Sequence, residues 1–198
     1  MMVKICGVTN REDALAAIDA GASAIGFNFY PRIPRYVTGE AAAEISAALP
    51  SSVCKVGVFV GETPERVSDT VRRAGLDVAQ LHGAALYPPG IRVWQAVSAK
   101  PGFDAGSLDE SGAEAILLDT PSDTLFGGTG ETFDWSLAAG SAKKIIIAGG
   151  LDASNVRLAI ERARPWGVDA CSRIESAPGR KDHAKMAAFL KAALEEQL

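Results

Sequence analysis

The sequence predicts an α/β fold in which eight parallel βα units close into one barrel, and three observations support this prediction. Short apolar runs typical of buried strands alternate with stretches of helical periodicity, as in a chain of βα units. There are eight such runs, the number that a closed barrel of this class needs. A weak internal repeat also precedes every second run.

The eight candidate strands are short and largely apolar, as expected of parallel strands that are covered on both faces. The first one reads VKICG, in which apolar residues recur at alternating positions before a glycine ends the run. In chain order, the predicted strands are residues 3–7, 24–29, 54–60, 78–83, 92–98, 115–120, 143–150 and 167–172.

Helix signals of unequal strength lie between these strands. Asn10 and Thr63 are favourable N-cap residues, and Pro64 suits the first position of a helix. Towards the C-terminus, apolar side chains recur at spacings of three and four residues. The predicted helices therefore cover residues 10–20, 63–74, 152–163 and 181–196.

Two connections are too weak to be full helices. Residues 84–90 read AALYPPG, a segment that is too short and too rich in proline for a helix. Residues 99–113 indicate at most a turn or two. The predicted architecture is therefore a (β/α)8 TIM barrel with a shortened or missing helix after strand 4.

The internal repeat supports a closed barrel over an open sheet. DAGASAIGF, RAGLDVAQL and ESGAEAILL precede the second, fourth and sixth strands, whereas the odd strands begin with a basic residue. Since no composition break divides the chain, we predict a single domain, residues 1–198. Glycine tolerates a positive φ, so one in each repeat is predicted to end a helix: Gly21, Gly75, Gly112 and, in the related RPWGVDACS, Gly167.

Composition and charge exclude several classes of protein. Hydrophobic residues make up 47% of the 198 residues and charged residues 22%, a balance that can fill a core. The net charge of −4 and the pI near 5.3 argue against a nucleic-acid partner. No apolar stretch approaches the length of a membrane span, and no leader-like segment opens the chain. We therefore expect a cytoplasmic protein with no membrane partner.

The three cysteines are widely spaced, so the sequence offers neither a disulfide framework nor a paired-cysteine metal site. Cys54 opens a strand and is predicted to pack at the inert end of the barrel. Cys6 and Cys171 instead close strands, at the end where barrels of this class carry their chemistry. The other candidates at strand ends are Gly7, Asn28, His82, Asp119, Gly149, Gly150, Asp169 and Ser172.

Two of these residues, Cys6 and Asp119, have an acid–base interpretation beside a structural one. Cys6 is either a buried small hydrophobe or, as a thiolate, a reactive group whose pKa must be lowered by nearby donors or positive charge. Asp119 follows four apolar residues, so it either caps the next turn or keeps its proton near neutral pH as a general acid.

Three further segments suggest how a substrate could be held. Gly149 and Gly150 before a helix, together with the loop at Ser172, fit the phosphate site that follows strands seven and eight in many barrels. Arg35 lies in a proline-stiffened loop that could present its guanidinium to a carboxylate. The glycine-rich segment after strand six lacks a Walker pattern and is predicted to be a lid, formed by Gly127, Gly128, Thr129 and Gly130.

With these residues in place, the chain resembles the phosphoribosylanthranilate isomerase family of tryptophan biosynthesis. The matching stretches run in the family's order across nearly the whole chain, and the combination of KICG, LLDT and GGTG is specific. The stretches are KICGVTN, GFNFYPRIPRYV, VGVFV, QLHG, LLDT, GGTG, AGGL and VDACSRIESAPGRKD.

The resemblance implies an Amadori rearrangement of N-(5-phosphoribosyl)anthranilate to 1-(2-carboxyphenylamino)-1-deoxyribulose 5-phosphate, with no metal and no organic cofactor. It implies Asp119 as general acid, Cys6 as general base and Arg35 as the contact of the anthranilate carboxylate. The expected partner is thus a small phosphorylated molecule, and the oligomeric state stays open between monomer and homodimer. The remaining residues expected to bind substrate are His82, Gly149, Gly150, Asp169, Cys171, Ser172 and Arg173.

The chain departs from the family pattern at three places. Cys171-Ser172-Arg173 stands where the family often has Ser-Ser-Gly, so Arg173 adds either a charge contact or a restraint on the loop. Ile33 stands where a serine often precedes the Pro-Arg pair. The third departure is the short fourth connection. None of the three touches the expected acid or base.

Three alternative functions remain. A histidine-pathway or bifunctional isomerase would have an aspartate where Cys6 ends the first strand, and a second phosphate loop. A non-catalytic phosphosugar-binding barrel would have no need of Cys6 and Asp119. A cysteine nucleophile forming a covalent adduct would need a histidine partner, for which His82 is the candidate.

Overall fold

A computed structural model of the protein describes residues 1–83, 86–100, 102–108, 110–120, 133–138 and 141–195. Eight parallel strands form a closed barrel in which each pairs with its neighbours in sequence and β8 pairs with β1. The predicted (β/α)8 barrel is thereby confirmed. Its strands are β1 (Met2–Ile5), β2 (Ala24–Asn28), β3 (Cys54–Val60), β4 (Val78–His82), β5 (Val93–Ser98), β6 (Ala115–Asp119), β7 (Lys144–Ile147) and β8 (Gly167–Ala170).

The helices on the outside of the barrel begin mostly where a side chain caps them. The Asn10 side chain accepts a hydrogen bond from the Asp13 N–H at 2.8 Å, and Thr38 and Thr63 cap the next two helices. A short antiparallel hairpin, β9 (Glu175–Ala177) and β10 (Arg180–Lys181), precedes the last helix. The α-helices are α1 (Arg11–Asp19), α2 (Gly39–Ala47), α3 (Pro64–Arg73), α4 (Val156–Ala163) and α5 (His183–Leu194).

The weak connections behave as the sequence predicts. Between β4 and β5 the described residues contain no helix, which confirms the missing helix after strand 4. The next two connections hold 3-10 turns at Ala105–Leu108 and Trp135–Ala138. Among the described residues, no helix is both long and apolar enough to span a membrane.

Two expectations about helices differ from the structure. The sequence reasoning missed α2, although Thr38 is a regular N-cap. Helix α4 begins at Val156 and not at Asp152, because the Asn155 side chain accepts from the Asp152 N–H and donates to the Gly150 carbonyl, which fixes a turn instead.

Of the four glycines expected to end helices, two do so. Gly21 and Gly75 follow α1 and α3 with φ of 104° and 61°. Gly112 and Gly167 were wrongly assigned, since neither has a positive φ and Gly167 is the first residue of β8. Arg164 takes the left-handed position after α4 instead, with φ 45°.

Two apolar clusters divide the core. One lies between the barrel and its helices and contains Ile25 and Phe189, each fully buried. The other fills the inside of the barrel, where Trp94 and Ile146 pack together and Cys54 lies against the cluster, in agreement with its predicted packing role. Alternate residues of a strand face opposite sides of the sheet. On β1 and β8 the side chains that face the inside of the barrel therefore include polar ones, the register partners Lys4 and Asp169.

Replacing Ile25 should show how much the outer cluster contributes. Ile25→Ala removes a fully buried side chain, so we expect the free energy of unfolding to fall by about 2–5 kcal/mol in urea titrations. Leu158→Ala on α4 is the matched control, because that side chain is 43% exposed and its loss should cost about 0.5 kcal/mol or less. Equal losses in the two variants would contradict the assigned core.

Candidate active site

A pocket opens at the C-terminal end of the barrel strands and gathers the predicted site residues. Its lining includes every one of them apart from the predicted lid: Cys6, Arg35, His82, Asp119, Gly149, Gly150, Asp169, Cys171, Ser172 and Arg173. The lid residues Gly127, Gly128, Thr129 and Gly130 lie outside the described part of the chain. The predicted residues that line the pocket come from six of the eight strand ends or from the loops that follow them, and their roles stay predictions.

Asp119 ends β6 with its carboxyl directed into the pocket. One oxygen, Oδ1, accepts a hydrogen bond from the Thr120 N–H at 2.8 Å. Burial raises the pKa of Asp119 to about 6, against the opposing effects of that hydrogen bond and of the Lys4 charge. About one tenth of Asp119 therefore keeps its proton at pH 7, in the form that a general acid needs.

Gly149 gives Asp119 the space it occupies. A Cβ at position 149 would lie 2.8 Å from Oδ1 of Asp119 and would also collide with the Thr120 side chain. The φ of Gly149 is +81°, which other residues rarely adopt. Glycine is thus required here by the Asp119 carboxyl on β6 as well as by the backbone of the loop after β7.

Lys4 and Asp169 form a buried ion pair inside the barrel. They are register partners on β1 and β8, and Lys4 Nζ lies 2.8 Å from Asp169 Oδ2 with the Lys4 side chain fully buried. Burial acts against the ammonium, yet the Asp169 carboxylate keeps the pKa of Lys4 above its usual value. The Lys4 charge also reaches Cys6, two residues along the strand, where it acts to lower the pKa of the thiol.

Burial at the same time raises the pKa of Asp169, which taken alone would make this residue a neutral acid and conflict with an ion pair. The ion pair is the better description, because a neutral Asp169 would leave the Lys4 ammonium buried without a counter-ion. The second oxygen, Oδ1, is buried with no hydrogen-bond partner among the described residues. It is an acceptor available to a hydroxyl in the pocket.

His82 and Gln80 form a neutral polar pair on β4. The Gln80 Nε2 and His82 Nε2 atoms lie 3.2 Å apart. Burial, followed by the Lys4 charge, lowers the pKa of His82 to about 4, so the imidazole is neutral at physiological pH. Gln80 Oε1 is buried without a partner within the described chain and adds a second acceptor to the pocket wall.

Arg35 is held in place by Glu175 of the hairpin, which Lys181 contacts in turn. Its Nε and one terminal nitrogen donate to the two carboxylate oxygens of Glu175, at 2.9 Å and 2.7 Å. Lys181 Nζ donates to the same carboxylate at 2.9 Å. The bidentate contact fixes the plane of the guanidinium, and two cations against one carboxylate leave a positive charge at the pocket for an anion.

An ion pair connects the two loops that are expected to bind phosphate, those after β7 and β8. Gly149 and Gly150 both have positive φ, and the Arg173 Nε lies 2.9 Å from Asp152 Oδ2. This ion pair joins the loop after β7 to the one after β8. Arg173 therefore restrains the loops, and its guanidinium is already paired with a carboxylate in this structure.

Some residues of the site were missed by sequence reasoning. The sequence pattern shows Lys4 only as a basic residue near the start of an odd strand. It does not identify the partners of Arg35. Glu175 and Lys181 stand within the quoted stretch VDACSRIESAPGRKD, but the sequence does not show that a hairpin folds them back onto Arg35. Of the described residues, no group of three or more His, Cys, Asp and Glu side chains could hold a metal ion.

Comparison with known proteins gives a consistent result. A family model described as N-(5'-phosphoribosyl)anthranilate (PRA) isomerase matches residues 3–192. The N-(5'-phosphoribosyl)anthranilate isomerase of Solibacter usitatus is 58% identical over 196 residues, which cover 98% of this chain and 97% of the relative.

Solved structures agree with the sequence relatives. The crystal structure of phosphoribosyl anthranilate isomerase from Thermotoga maritima has a TM-score of 0.87 and 40% identity, with 98% of each chain covered. A second crystal structure contains a phosphoribosyl anthranilate isomerase in complex with reduced 1-(o-carboxyphenylamino)-1-deoxyribulose 5-phosphate. It has a TM-score of 0.84 and 38% identity, again over 98% of each chain.

Removal of the Lys4 charge should destabilise the barrel in a pH-dependent way. Lys4→Met leaves Asp169 buried without a counter-ion, so we expect a loss of about 3–5 kcal/mol in the free energy of unfolding at pH 8. Because the folded-state pKa of Asp169 is raised, the unfolded chain releases its proton first. The loss should therefore grow as pH rises from about 4 through the raised pKa.

Urea titrations of both proteins at pH 5 and pH 8 measure this difference. Arg92→Met is the control, since it breaks an ion pair with Glu114 in which the Arg92 side chain is 54% exposed. It should cost less than about 1 kcal/mol at either pH. A Lys4→Met loss that is small, or the same at both pH values, would rule out the ion pair as described.

Proposed function

The chain belongs to the N-(5'-phosphoribosyl)anthranilate isomerase family of tryptophan biosynthesis, and from that premise we propose a division of labour in its active site. Asp119 is the general acid and Cys6 the general base of the Amadori rearrangement that the resemblance implies. The observation that carries this proposal is that one pocket holds a buried carboxyl with a raised pKa and a thiol beside a buried ammonium.

The first step requires a proton at the ribose ring oxygen. Asp119 gives its proton to that oxygen, the bond between the oxygen and C1 breaks, and the lone pair of the anthranilate nitrogen forms a Schiff base. The burial of Asp119 supports this role, since it raises the pKa to about 6 and keeps the acid partly protonated at neutral pH.

The second step removes a proton from C2. The Cys6 thiolate takes it, the electron pair of the C2–H bond forms the C1–C2 double bond, and the Schiff base becomes an enolamine. The enolamine then gains a proton at C1 and loses one from its C2 hydroxyl, which yields the ketone. The Lys4 ammonium supports the thiolate because its charge lowers the pKa of Cys6, against the larger effects of Cys171 and of burial, which raise that pKa.

The two ends of the substrate match two cationic or N–H-rich regions of the pocket. We place the anthranilate carboxylate at Arg35, whose guanidinium is held by Glu175. We place the phosphate at the loops of Gly149, Gly150 and Ser172, where positive φ values turn the backbone at the two glycines. The unpartnered Asp169 Oδ1 is then the acceptor for a ribose hydroxyl.

This assignment extends to the whole chain. We propose that residues 1–198 act as one domain, which is supported by the barrel closing from β1 to β8 and by the family match over residues 3–192. The substrate proposed here resembles the reduced product analogue bound in the related crystal structure. A histidine-pathway isomerase fits less well, because the first strand leads into Cys6 where that reaction uses an aspartate.

The assignment predicts the activity of two single variants. Asp119→Asn cannot deliver a proton and Cys6→Ser cannot form a thiolate, so each should lower kcat at least about 100-fold while the protein stays folded. Wild-type kcat/KM should rise with pH until Asp119 titrates near pH 6 and should fall only above the pKa of the base, since the active form carries a proton on Asp119 and none on Cys6.

Steady-state assays with N-(5-phosphoribosyl)anthranilate measure these effects. Asp134→Asn and Cys54→Ser are matched controls, because both residues lie away from the pocket lining, and both should keep wild-type kcat. Near-wild-type turnover in either active-site variant would remove that residue from the mechanism. A wild-type protein without turnover would instead favour a phosphosugar-binding barrel.

A further inference from the structure

A second thiol lies directly across the barrel seam from Cys6. In the register of β1 and β8, Lys4 pairs with Asp169 and Ile5 pairs with Ala170, so the next residues along the two strands are Cys6 and Cys171. The Cys6 N–H continues the ladder by donating to the Ala170 carbonyl at 2.9 Å. Since side chains alternate, both thiols point to the same side as Lys4 and Asp169, into the pocket.

The two thiols are neighbours on adjacent strands, and each shifts the pKa of the other. Gly7, which follows Cys6, leaves room for this contact. A Cβ at position 7 would lie 3.0 Å from the Cys171 sulfur, and the φ of Gly7 is +69°. Cys6 is 8% exposed, so a charge on this pair is stabilised by protein groups more than by bulk water.

The charged groups around the pair favour one negative charge on it. Lys4 on β1 faces Cys6, and Arg35 and Lys181 face Cys171 from the loop after β2 and from β10. The carboxylates packed with them are Asp169 on β8 and Glu175 on β9. The three cations and two carboxylates around the pair leave one net positive charge, which a single thiolate balances.

One further acid lies nearby. Asp119 on β6 acts on Asp169. Because burial keeps Asp119 partly protonated near neutral pH, it adds less than a full negative charge to this balance.

We propose that Cys6 and Cys171 form one proton-sharing thiol pair, in which Cys171 carries the negative charge in the ligand-free protein and passes it to Cys6 when substrate binds. Cys171 is then a positioning residue that acts through Cys6. This proposal rests on the proposed role of Cys6 as base, and it assigns Cys171 a function beyond the phosphate-binding loop.

The proton affinities support this direction. The hydrogen bond from Cys6, together with Lys181 and Arg35, overcomes burial and lowers the pKa of Cys171 to about 7. The pKa of Cys6 is raised well above its usual value, because its proton is shared with Cys171 and because the thiol is buried. In the ligand-free protein, the first proton lost therefore leaves the charge on Cys171.

Substrate binding reverses this preference by adding anions on the Cys171 side. A carboxylate at Arg35 neutralises one of the cations that stabilise the Cys171 thiolate, and a phosphate at the neighbouring loop repels it. Lys4 remains beside Cys6. The proton then moves from the Cys6 sulfur to the Cys171 sulfur, no proton leaves the pair, and the thiolate lies on the residue that acts as base.

Titration of the ligand-free protein tests the pair without any need for activity. The ultraviolet absorbance of thiolate, followed against pH under a phosphine reductant, should show one thiolate per wild-type chain with a midpoint near pH 7. Cys171→Ala and Cys6→Ala should each abolish this transition, because each removes one half of the hydrogen bond. Cys6→Ser restores an O–H donor and should bring the Cys171 transition back towards pH 7.

Cys54→Ala is the control variant. Burial raises the pKa of Cys54 to about 11, so its removal should leave the transition near pH 7 unchanged. The pair is contradicted if Cys6→Ala keeps the wild-type midpoint, since Cys171 would then titrate independently. It is equally contradicted if the wild-type protein shows no thiolate below pH 8.

The pH dependence of kcat/KM tests the link to catalysis. In Cys171→Ala the proposed base loses its partner. The fall of kcat/KM at high pH should then begin at least one pH unit higher, and the maximum of kcat/KM should be about tenfold lower for each pH unit of this shift. An unchanged descending limb would show that Cys171 does not act through Cys6. A normal thiolate titration in an inactive wild-type protein would overturn the proposed base and leave the pair intact.

Discussion

The buried ion pair between Lys4 and Asp169 is the constraint on which the pocket depends. It fixes the register of β1 against β8, the seam at which the barrel closes, and it introduces a full positive charge where most barrel interiors are apolar. That charge reaches Cys6 on one side and lowers the proton affinity of Asp119 and His82 on the other. One lysine therefore influences the proposed base, the proposed acid and a neutral imidazole of the same pocket.

The pocket gives the proposed general acid and the proposed base different environments. Asp119 is buried and keeps part of its proton, whereas the thiols lie where cations outnumber carboxylates and can lose one. Glu175, which accepts from both Arg35 and Lys181, fixes the Arg35 guanidinium at the pocket. The proposed acid, base and anion contacts then line one pocket of a barrel whose outer cluster holds the strand ends at fixed positions.

Much of this could be predicted from the sequence, because strand order in a parallel barrel decides which residues meet. Counting eight strands placed Cys6 and Asp119 at the same end, although they are far apart in the chain, and the pocket lining agrees. The direction of Lys4 could not be predicted from alternation alone. The hairpin contacts of Glu175 with Arg35 and the side-chain turn that delays α4 also depend on tertiary packing that no local pattern encodes.

The division of labour between Cys6 and Asp119 can be tested most directly with substrate deuterated at C2. If Asp119 opens the ring before Cys6 removes the C2 proton, Cys6→Ser should express a full primary isotope effect on kcat. Asp119→Asn should express almost none, because ring opening then limits the rate. A full isotope effect in Asp119→Asn, or its absence in Cys6→Ser, would contradict the assigned roles.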